Sequence, residues 1–307
     1  MWRQIVRRLL LSIVVLWIVA TATFAMMRFL PGDPVAVMLQ KSGGSAERIA
    51  QLREQLGLNE PYPVQYAKFL GGLVQGDLGK SLFTGRPVTE MILEQFPATL
   101  ELAAASLLVG VVVGVGLGLI SALKEGSWID NASMIFAVAG VSMPSFWAGL
   151  LLIFLFSLTL GWLPATGQGG IQRLIMPSLV LGFSVAATIA RLTRSSMVEV
   201  MRKEYITTAR AKGLMERLVI SRHALKNALI PILTMVGLEV GWLLGGAVVT
   251  ETVFSRQGIG RMAIQAVLQK DFPLVQGTVL FAALFYMAAN LVVDILYMFV
   301  DPRIQTQ

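Results

Sequence analysis

The sequence has no cysteine and only one histidine, His223, among its 307 residues. The absence of cysteine excludes disulfides, iron–sulfur clusters and thiolate metal sites. Familiar catalytic patterns are missing too: there is no GxxxxGK(S/T) phosphate loop, no HExxH pair and no GxSxG nucleophile elbow. An intramembrane serine protease would need a histidine within the membrane, whereas His223 lies in a charged segment. We therefore expect a chain that catalyses no reaction itself and holds no metal.

Charged residues are also scarce, at 14% of the chain, while hydrophobic residues make up 55% and the mean hydropathy is +0.71. A soluble globule of this length needs more polar surface, so the composition places the chain in a lipid bilayer. Runs of about 20 apolar residues can cross the hydrocarbon core. Six such runs predict an all-α polytopic membrane protein with both termini on one side: Leu9 to Met27, Leu102 to Leu123, Ala132 to Leu160, Leu174 to Ala190, Ala228 to Thr250 and Leu274 to Val293.

Lysine and arginine are distributed unevenly between the two predicted sides of the membrane. Nine of them lie between Arg191 and Lys226, and a high density of bases near span ends marks the cytoplasmic side. This places the loop 191–227 and both termini in the cytoplasm, and it accounts for the net charge of +7 without a nucleic-acid partner. The first run could instead be a signal peptide cleaved near Ala22, but its apolar residues continue to Met27, which favours an uncleaved span.

We predict one membrane domain with an external insertion. Its parts are the N-terminus and first span at 1–29, the external helical insertion at 30–97, the transmembrane core at 98–300 and a cytoplasmic tail at 301–307. Within the insertion, Ser45 is placed to begin a helix and Gly57 to end it. Further helices are expected at Pro63 to Gln75 and at Pro87 to Phe96.

Two spans carry glycines at four-residue spacing, which lets helix backbones approach closely inside a bilayer. The glycines are Gly110, Gly114 and Gly118 on one span and Gly237, Gly241 and Gly245 on another. We expect packing within this chain at both faces, with contact to a second membrane subunit as the alternative.

Three residues are candidates for a translocation pathway. Ser142 and Pro144 interrupt the third span, where the proline predicts a kink or break that either lines a cavity or only bends the helix. Glu239 is the one acid in the middle of a span, and an ionisable group at that depth is costly unless it meets water or a partner. It either faces the pathway or is protonated or hydrogen-bonded between helices.

The charged segment between the fourth and fifth spans reads as two short helices. Residues 199–212 suit a helix in which Glu199 and Lys203 pair, and Gly213 ends it with a left-handed turn. A second helix is expected at 214–226, before Pro231 opens the fifth span. The first helix carries small residues at Thr207, Thr208, Ala209, Ala211 and Gly213. An amphipathic segment resting on lipid headgroups would carry bulky apolar anchors, so the pattern favours docking of a cytoplasmic protein over the membrane surface.

Two stretches of this segment, EYITTARAKGL (204–214) and RHALKNALIP (222–231), resemble the cytoplasmic loop of membrane permeases in ABC importers of the dipeptide, oligopeptide and nickel branch. The resemblance extends over nearly the whole chain. Further matches, in the same order, are LPGDP (30–34), QLGLNEP (55–61), GDLGKS (76–81), PATLEL (97–102), ETVFS (251–255) and DPRI (301–304). The chain departs from the family pattern at Thr207 and Lys226, which occupy the usual glutamate and proline slots of the loop, and at Arg256-Gln257, where relatives usually have Trp-Pro.

The resemblance implies the type I ABC importer permease fold, in which this loop, the EAA motif, forms a coupling helix seated on an ATP-binding subunit. The coupling residues it implies are Glu204, Tyr205, Thr207, Thr208, Ala209, Arg210, Ala211, Lys212, Gly213, Leu214 and His223. It further implies a homologous second permease, two ATP-binding subunits that hydrolyse ATP with Mg²⁺, an external substrate-binding protein and a bacterial inner membrane. No cofactor is expected on this chain itself.

The resemblance implies small peptides as the substrate, with the LPGDP motif as the reason for preferring them. Nickel chelates and glutathione are the alternatives within the family, since GVSMPSFW (140–147) and WLPATG (162–167) also resemble nickel permeases. Two alternatives lie outside the family, namely an intramembrane enzyme and an ATP-independent transporter.

Overall fold

A computed structural model of the protein describes residues 2–29, 47, 50, 53, 54 and 57–300. The LPGDP motif, the expected cap at Ser45 and the tail 301–307 lie outside the described residues. Ten helices of eight residues or more occur in the described part: α1 Trp2–Phe29, α2 Tyr62–Val74, α3 Val88–Leu123, α4 Trp128–Ser142, α5 Ser145–Leu152, α6 Gln172–Met201, α7 Glu204–Ala211, α8 Leu225–Val253, α9 Ile259–Gln269 and α10 Phe272–Val300. The predicted all-α class is confirmed, since β pairing in the described part is confined to one bridge between Lys80 and Pro87.

The predicted spans coincide with long helices. Five helical segments are long and apolar enough to cross a membrane, and a sixth is possible if the bent pair Trp128–Ser142 and Ser145–Thr159 forms one span. The two halves of that pair meet at an angle of 107°. The prediction of a break is confirmed, because Met143 adopts extended backbone (φ −83, ψ 123) directly before Pro144. Proline disfavours helical backbone at the preceding residue and lacks the N–H that a continuous helix requires.

One compact unit comprises Met1–Ala98 and Gln257–Met287. Its apolar core is formed by side chains from α1, α3, α9 and α10: Met27, Val88, Ile92, Ile259, Met262, Ala266, Phe272, Leu274 and Val275. The buried Asp271 joins the GDLGKS segment to the start of α10, since the Ser81 hydroxyl donates to its carboxylate at 2.5 Å and the Leu82 N–H at 3.1 Å.

A second compact unit comprises Thr99–Arg256 and Ala288–Gln307. Here the glycines of α3 pack directly against α6. A Cβ built at Gly110 would lie 2.5 Å from Val185, one at Gly114 2.8 Å from Ile189, and one at Gly118 2.5 Å from Thr193. Packing within the chain is therefore confirmed for this face.

The second glycine pattern is only partly used within the chain. Gly237 and Gly241 are buried, whereas Gly245 is exposed and would have nothing within 4 Å of an added Cβ. The expectation of intrachain packing is wrong for Gly245. Because four residues turn an α-helix by slightly more than one full turn, a stripe at that spacing drifts around the helix and leaves the interface.

The expected external helix Pro87 to Phe96 is not a separate element. It forms the first turns of α3, which continues through Pro97 to Leu123. Side chains on both flanks of the proline are buried, with Ile92 1% and Leu102 0% exposed. Proline is tolerated in such helices when neighbouring packing compensates for the lost hydrogen bond. At the other end of the insertion, Gly57 ends a helical turn as expected, with positive φ (+65) and its N–H donated to the Glu54 carbonyl at 3.0 Å.

Candidate functional site

The short helix α7 follows the membrane helix α6 after a two-residue break at Arg202 and Lys203. The expected helix start at residue 199 is wrong, because α6 continues to Met201 and Lys203 then adopts extended backbone (ψ 146) before Glu204. Continuation of α6 to Met201 is favoured because Val200 and Met201 pack against an apolar cluster under α7. The predicted pair of Glu199 and Lys203 still forms across the break at 2.8 Å, and the carboxylate raises the pKa of the Lys203 ammonium.

Two side chains hold α7 to the rest of the chain. Ile206 and Ala209, one helical turn apart, are 0% and 7% exposed. They pack in a cluster whose other buried members are Met197, Val219, Ala224 and Ala228. Ile206 is absent from the predicted coupling residues, although it is the one large aliphatic side chain in Glu204–Ala211. Ala209 was expected on the contact surface, but it faces this interior, because a three-residue spacing from Ile206 puts both on one face of the helix.

The remaining predicted residues of the helix and its turn form an outward surface. Exposed are Glu204, Tyr205, Thr207, Thr208, Arg210, Ala211, Lys212 and Gly213, while Leu214 and His223 are half-buried. This surface, which we call the outer face of α7, contains small, hydroxylated and charged side chains, with Tyr205 as its only aromatic residue. It can therefore be approached closely by another polar surface.

The turn after α7 is built around Gly213, which has positive φ (+76). The Gly213 N–H donates to the Arg210 carbonyl at 2.9 Å and the Leu214 N–H to the Ala209 carbonyl at 3.4 Å, the pattern of a glycine-terminated helix. Glu216 braces this turn through a two-pronged contact with Arg210, at 2.7 and 3.1 Å. The carboxylate raises the pKa of the Arg210 guanidinium. The position of Glu216 six residues after Arg210, across the turn predicted at Gly213, is a signal from which this pair could be predicted.

The segment after the turn is less regular than the helix expected at 214–226. A three-residue turn, Glu216–Leu218, leads into the π-helical turn Val219–Ala224, and α8 then begins at Leu225. Pro231 lies inside α8 and does not open it, so that expectation is wrong. Asn227 of α8 connects this helix to α7, because its amide donates to the Tyr205 hydroxyl at 3.0 Å. The same amide donates to the His223 carbonyl at 2.9 Å.

The three pathway candidates occupy different environments. Ser142 and Pro144 are exposed at the break between α4 and α5. Glu239 is 7% exposed in the middle of α8, with Thr188 of α6 as a hydrogen-bonding neighbour. Glu239 is therefore buried beside α6, whereas Ser142 and Pro144 are exposed. The roles of all three residues in a pathway stay predictions. In the described part of the chain, no three His, Asp or Glu side chains come together as metal ligands would.

Comparison with known proteins gives matches along the whole chain. Residues 114–306 match the family described as binding-protein-dependent transport system inner membrane component, and residues 1–103 match the N-terminal family of the same membrane components. The chain is 44% identical to the dipeptide transport system permease protein DppB of Alkalihalophilus pseudofirmus, over 97% of this chain and 98% of the relative. It is 45% identical to the di/tripeptide transport system permease protein DppB of Pseudomonas aeruginosa, over 99% and 98%. The glutathione transport system permease protein GsiC of Escherichia coli is 43% identical over 99% of both chains.

Solved structures share the fold at low sequence identity. A chain of the MetNI methionine ABC transporter superposes with a TM-score of 0.58 and 17% identity, covering 69% of this chain and 96% of that one. A chain of an amino acid ABC transporter gives a TM-score of 0.52 and 19% identity, covering 70% and 94%. The long apolar helices, the permease fold and the near full-length matches agree, and the chain belongs to the family of inner membrane components of binding-protein-dependent transport systems.

Proposed function

We propose that this chain is a membrane permease subunit of an ATP-driven importer for small peptides. Relatives of 44% and 45% identity over nearly the full length are named as dipeptide and di/tripeptide permeases. Glutathione is the second candidate, because the named glutathione permease is 43% identical and glutathione is itself a short peptide. Nickel chelates remain the third candidate, on the resemblance of residues 140–147 and 162–167.

The observation that carries the proposal is the division of α7 into two faces. Ile206 and Ala209 attach the helix to the permease itself, while its outer face is made of small and charged side chains together with Tyr205. A helix lying on the membrane would turn bulky apolar side chains toward lipid. The outer face of α7 instead suits a groove on a cytoplasmic protein, and we assign that role to an ATP-binding subunit.

Coupling follows from this docking. Closure of two ATP-binding subunits around ATP and Mg²⁺ would displace α7, and the cluster around Ile206 would pass the displacement to α6 and α8 as a rigid-body movement. A homologous second permease, which would complete the pathway, and an external binding protein, which would deliver the substrate, are further parts of this proposal. In this arrangement both termini and α7 are cytoplasmic, in the inner membrane of a bacterium.

Ser142, Pro144 and Glu239 remain the proposed pathway residues. Glu239 is supported by its burial in the mostly apolar middle of α8, where ionisable groups are rare without a functional reason. The Glu239→Gln variant keeps the shape and the hydrogen-bonding capacity toward Thr188 but removes the charge. An unchanged transport rate and substrate preference in this variant would exclude Glu239 from the pathway.

The proposal is tested by purifying the chain from its native membrane and reconstituting the recovered complex in liposomes. We expect ATP-binding subunits in stoichiometric amount and ATP-dependent uptake of a labelled dipeptide, with slower uptake of glutathione and of a nickel chelate. Uptake driven without ATP-binding subunits would instead indicate an ATP-independent transporter. A turnover product formed by the chain alone would indicate an intramembrane enzyme.

A further inference from the structure

An ion pair between the buried Asp130 and the partly buried Arg194, outside the docking surface, joins three membrane helices at one end. Asp130, in the first turn of α4, is buried, with 3% of the residue exposed. Arg194 of α6 donates to both of its carboxylate oxygens, from Nε at 2.6 Å and from Nη2 at 2.7 Å. The Ser121 hydroxyl, in the last turn of α3, and the Gly126 N–H, at 3.0 Å, donate to the same carboxylate. One side chain thus receives hydrogen bonds from α3, from the connection after it and from α6.

Helix capping does not account for this cluster. The cap of α4 is Ser127, whose hydroxyl accepts from the Asp130 N–H at 3.3 Å, and of the partners of the Asp130 carboxylate only the Gly126 N–H belongs to the start of this helix. Arg194 is 64 positions away in the sequence. A two-pronged contact between guanidinium and carboxylate fixes both distance and orientation, which a contact between apolar side chains does not.

The same end of α6 leads directly to the outer face of α7. Arg194 precedes the end of α6 at Met201 by seven positions, and α7 begins at Glu204. A second ion pair continues along this path, since Arg202 donates to Glu125 of the α3–α4 connection at 2.8 Å. Gly118 of α3 is in close contact with Thr193, the residue beside Arg194. The α3–α4 connection is therefore held at two points along the approach to α7.

We propose that Asp130 and Arg194 are positioning residues that make the ends of α3, α4 and α6 move as one body. Displacement of α7 by a docked ATP-binding subunit would then reach α4, whose far end carries the break at Ser142 and Pro144. This inference rests on the proposed function, because it assumes that α7 docks. The pair has no substrate or nucleotide contact in this scheme and acts only through the helices that it joins.

The test uses the full importer with all of its subunits in liposomes, and the measured quantity is the coupling ratio, the number of dipeptides imported per ATP hydrolysed. In Asp130→Asn we expect the coupling ratio to fall about tenfold, the scale typical of mutations on a coupling route, with the ATP-binding subunits still bound. The matched control is Glu94→Gln, which breaks the exposed ion pair with Arg86 outside this route and is expected to change the ratio less than about twofold.

A purely structural role is distinguished by the double variant Asp130→Asn/Arg194→Gln. Removing Asp130 alone leaves the partly buried Arg194 guanidinium without its counter-ion, whereas removing both charges does not, so the double variant is expected to reach the membrane at the wild-type level. Our inference predicts that its coupling ratio stays low even so. A wild-type ratio in the double variant, or in Asp130→Asn, would overturn the inference. Loss of the ATP-binding subunits from the wild-type complex would instead contradict the proposed function.

Discussion

Two surfaces of the chain are rich in small residues, and the structure uses them in opposite ways. The glycines of α3 are covered by α6, so closely that an added Cβ at Gly118 would lie 2.5 Å from Thr193 and from the Ala190 carbonyl. Thr207, Thr208 and Ala211 on the outer face of α7 are exposed. Small side chains permit close approach in both places. Whether the approaching surface belongs to the same chain or to another protein depends on the neighbours, which the small residues do not specify.

The largest expected effect comes from enlarging one residue on each surface. Gly118→Leu places a side chain against backbone that cannot move aside, and we expect a loss of about 3 kcal/mol in the free energy of unfolding. Ala211→Leu adds the same side chain to the outer face of α7, where Ala211 is exposed, and the thermal unfolding midpoint should stay at the wild-type value. For retention of the ATP-binding subunits during purification we expect the opposite: Gly118→Leu should keep them, and Ala211→Leu should lose them. Equal unfolding midpoints for the two variants would remove the distinction between covered and open surfaces.

An intermediate effect on stability is expected at Ile206, on the buried side of α7. Ile206→Ala leaves a cavity in the cluster under the helix, which costs about 2 kcal/mol. Because α7 is short and held mainly by this side chain and Ala209, we expect much faster amide hydrogen exchange across Glu204–Ala211. Thr207→Ala, one position along on the outer face, is the control and should leave exchange unchanged. If both variants exchanged alike, Ile206 would not be the anchor.

The smallest loss of stability among these variants is expected for Gly213→Ala. An alanine there meets no neighbour within 4 Å, so its only cost is the positive φ, about 1–2 kcal/mol. We expect Gly213→Ala to lower the coupling ratio moderately and Gly213→Asn to lower it less, since asparagine tolerates this conformation better. Gly213→Pro should uncouple transport from ATP hydrolysis. Equal coupling ratios in the wild type and these three variants would show that the turn geometry does not transmit the movement.

The features that could be predicted from the sequence are the local ones. Apolar run lengths identified the spans, Pro144 identified the break after Ser142, and Gly213 identified the turn. The features that were missed depend on partners far away in sequence or on packing: the pair of Asp130 with Arg194, the anchoring of Ile206 and the continuation of α3 through Pro97. Helical periodicity describes one helix at a time, and it contains no information on which buried side chain lies opposite a given residue.

Site-specific cross-linking can show whether the outer face of α7 contacts an ATP-binding subunit. Because the chain has no cysteine, single cysteines can be introduced without altering any other position. In the complete importer, Thr207→Cys carrying a short photoactivatable cross-linker is predicted to form an adduct with an ATP-binding subunit. Val74→Cys, 90% exposed in the predicted external insertion, should form none. Absence of the adduct at Thr207, or equal yields at both positions, would show that the outer face of α7 does not dock specifically on an ATP-binding subunit.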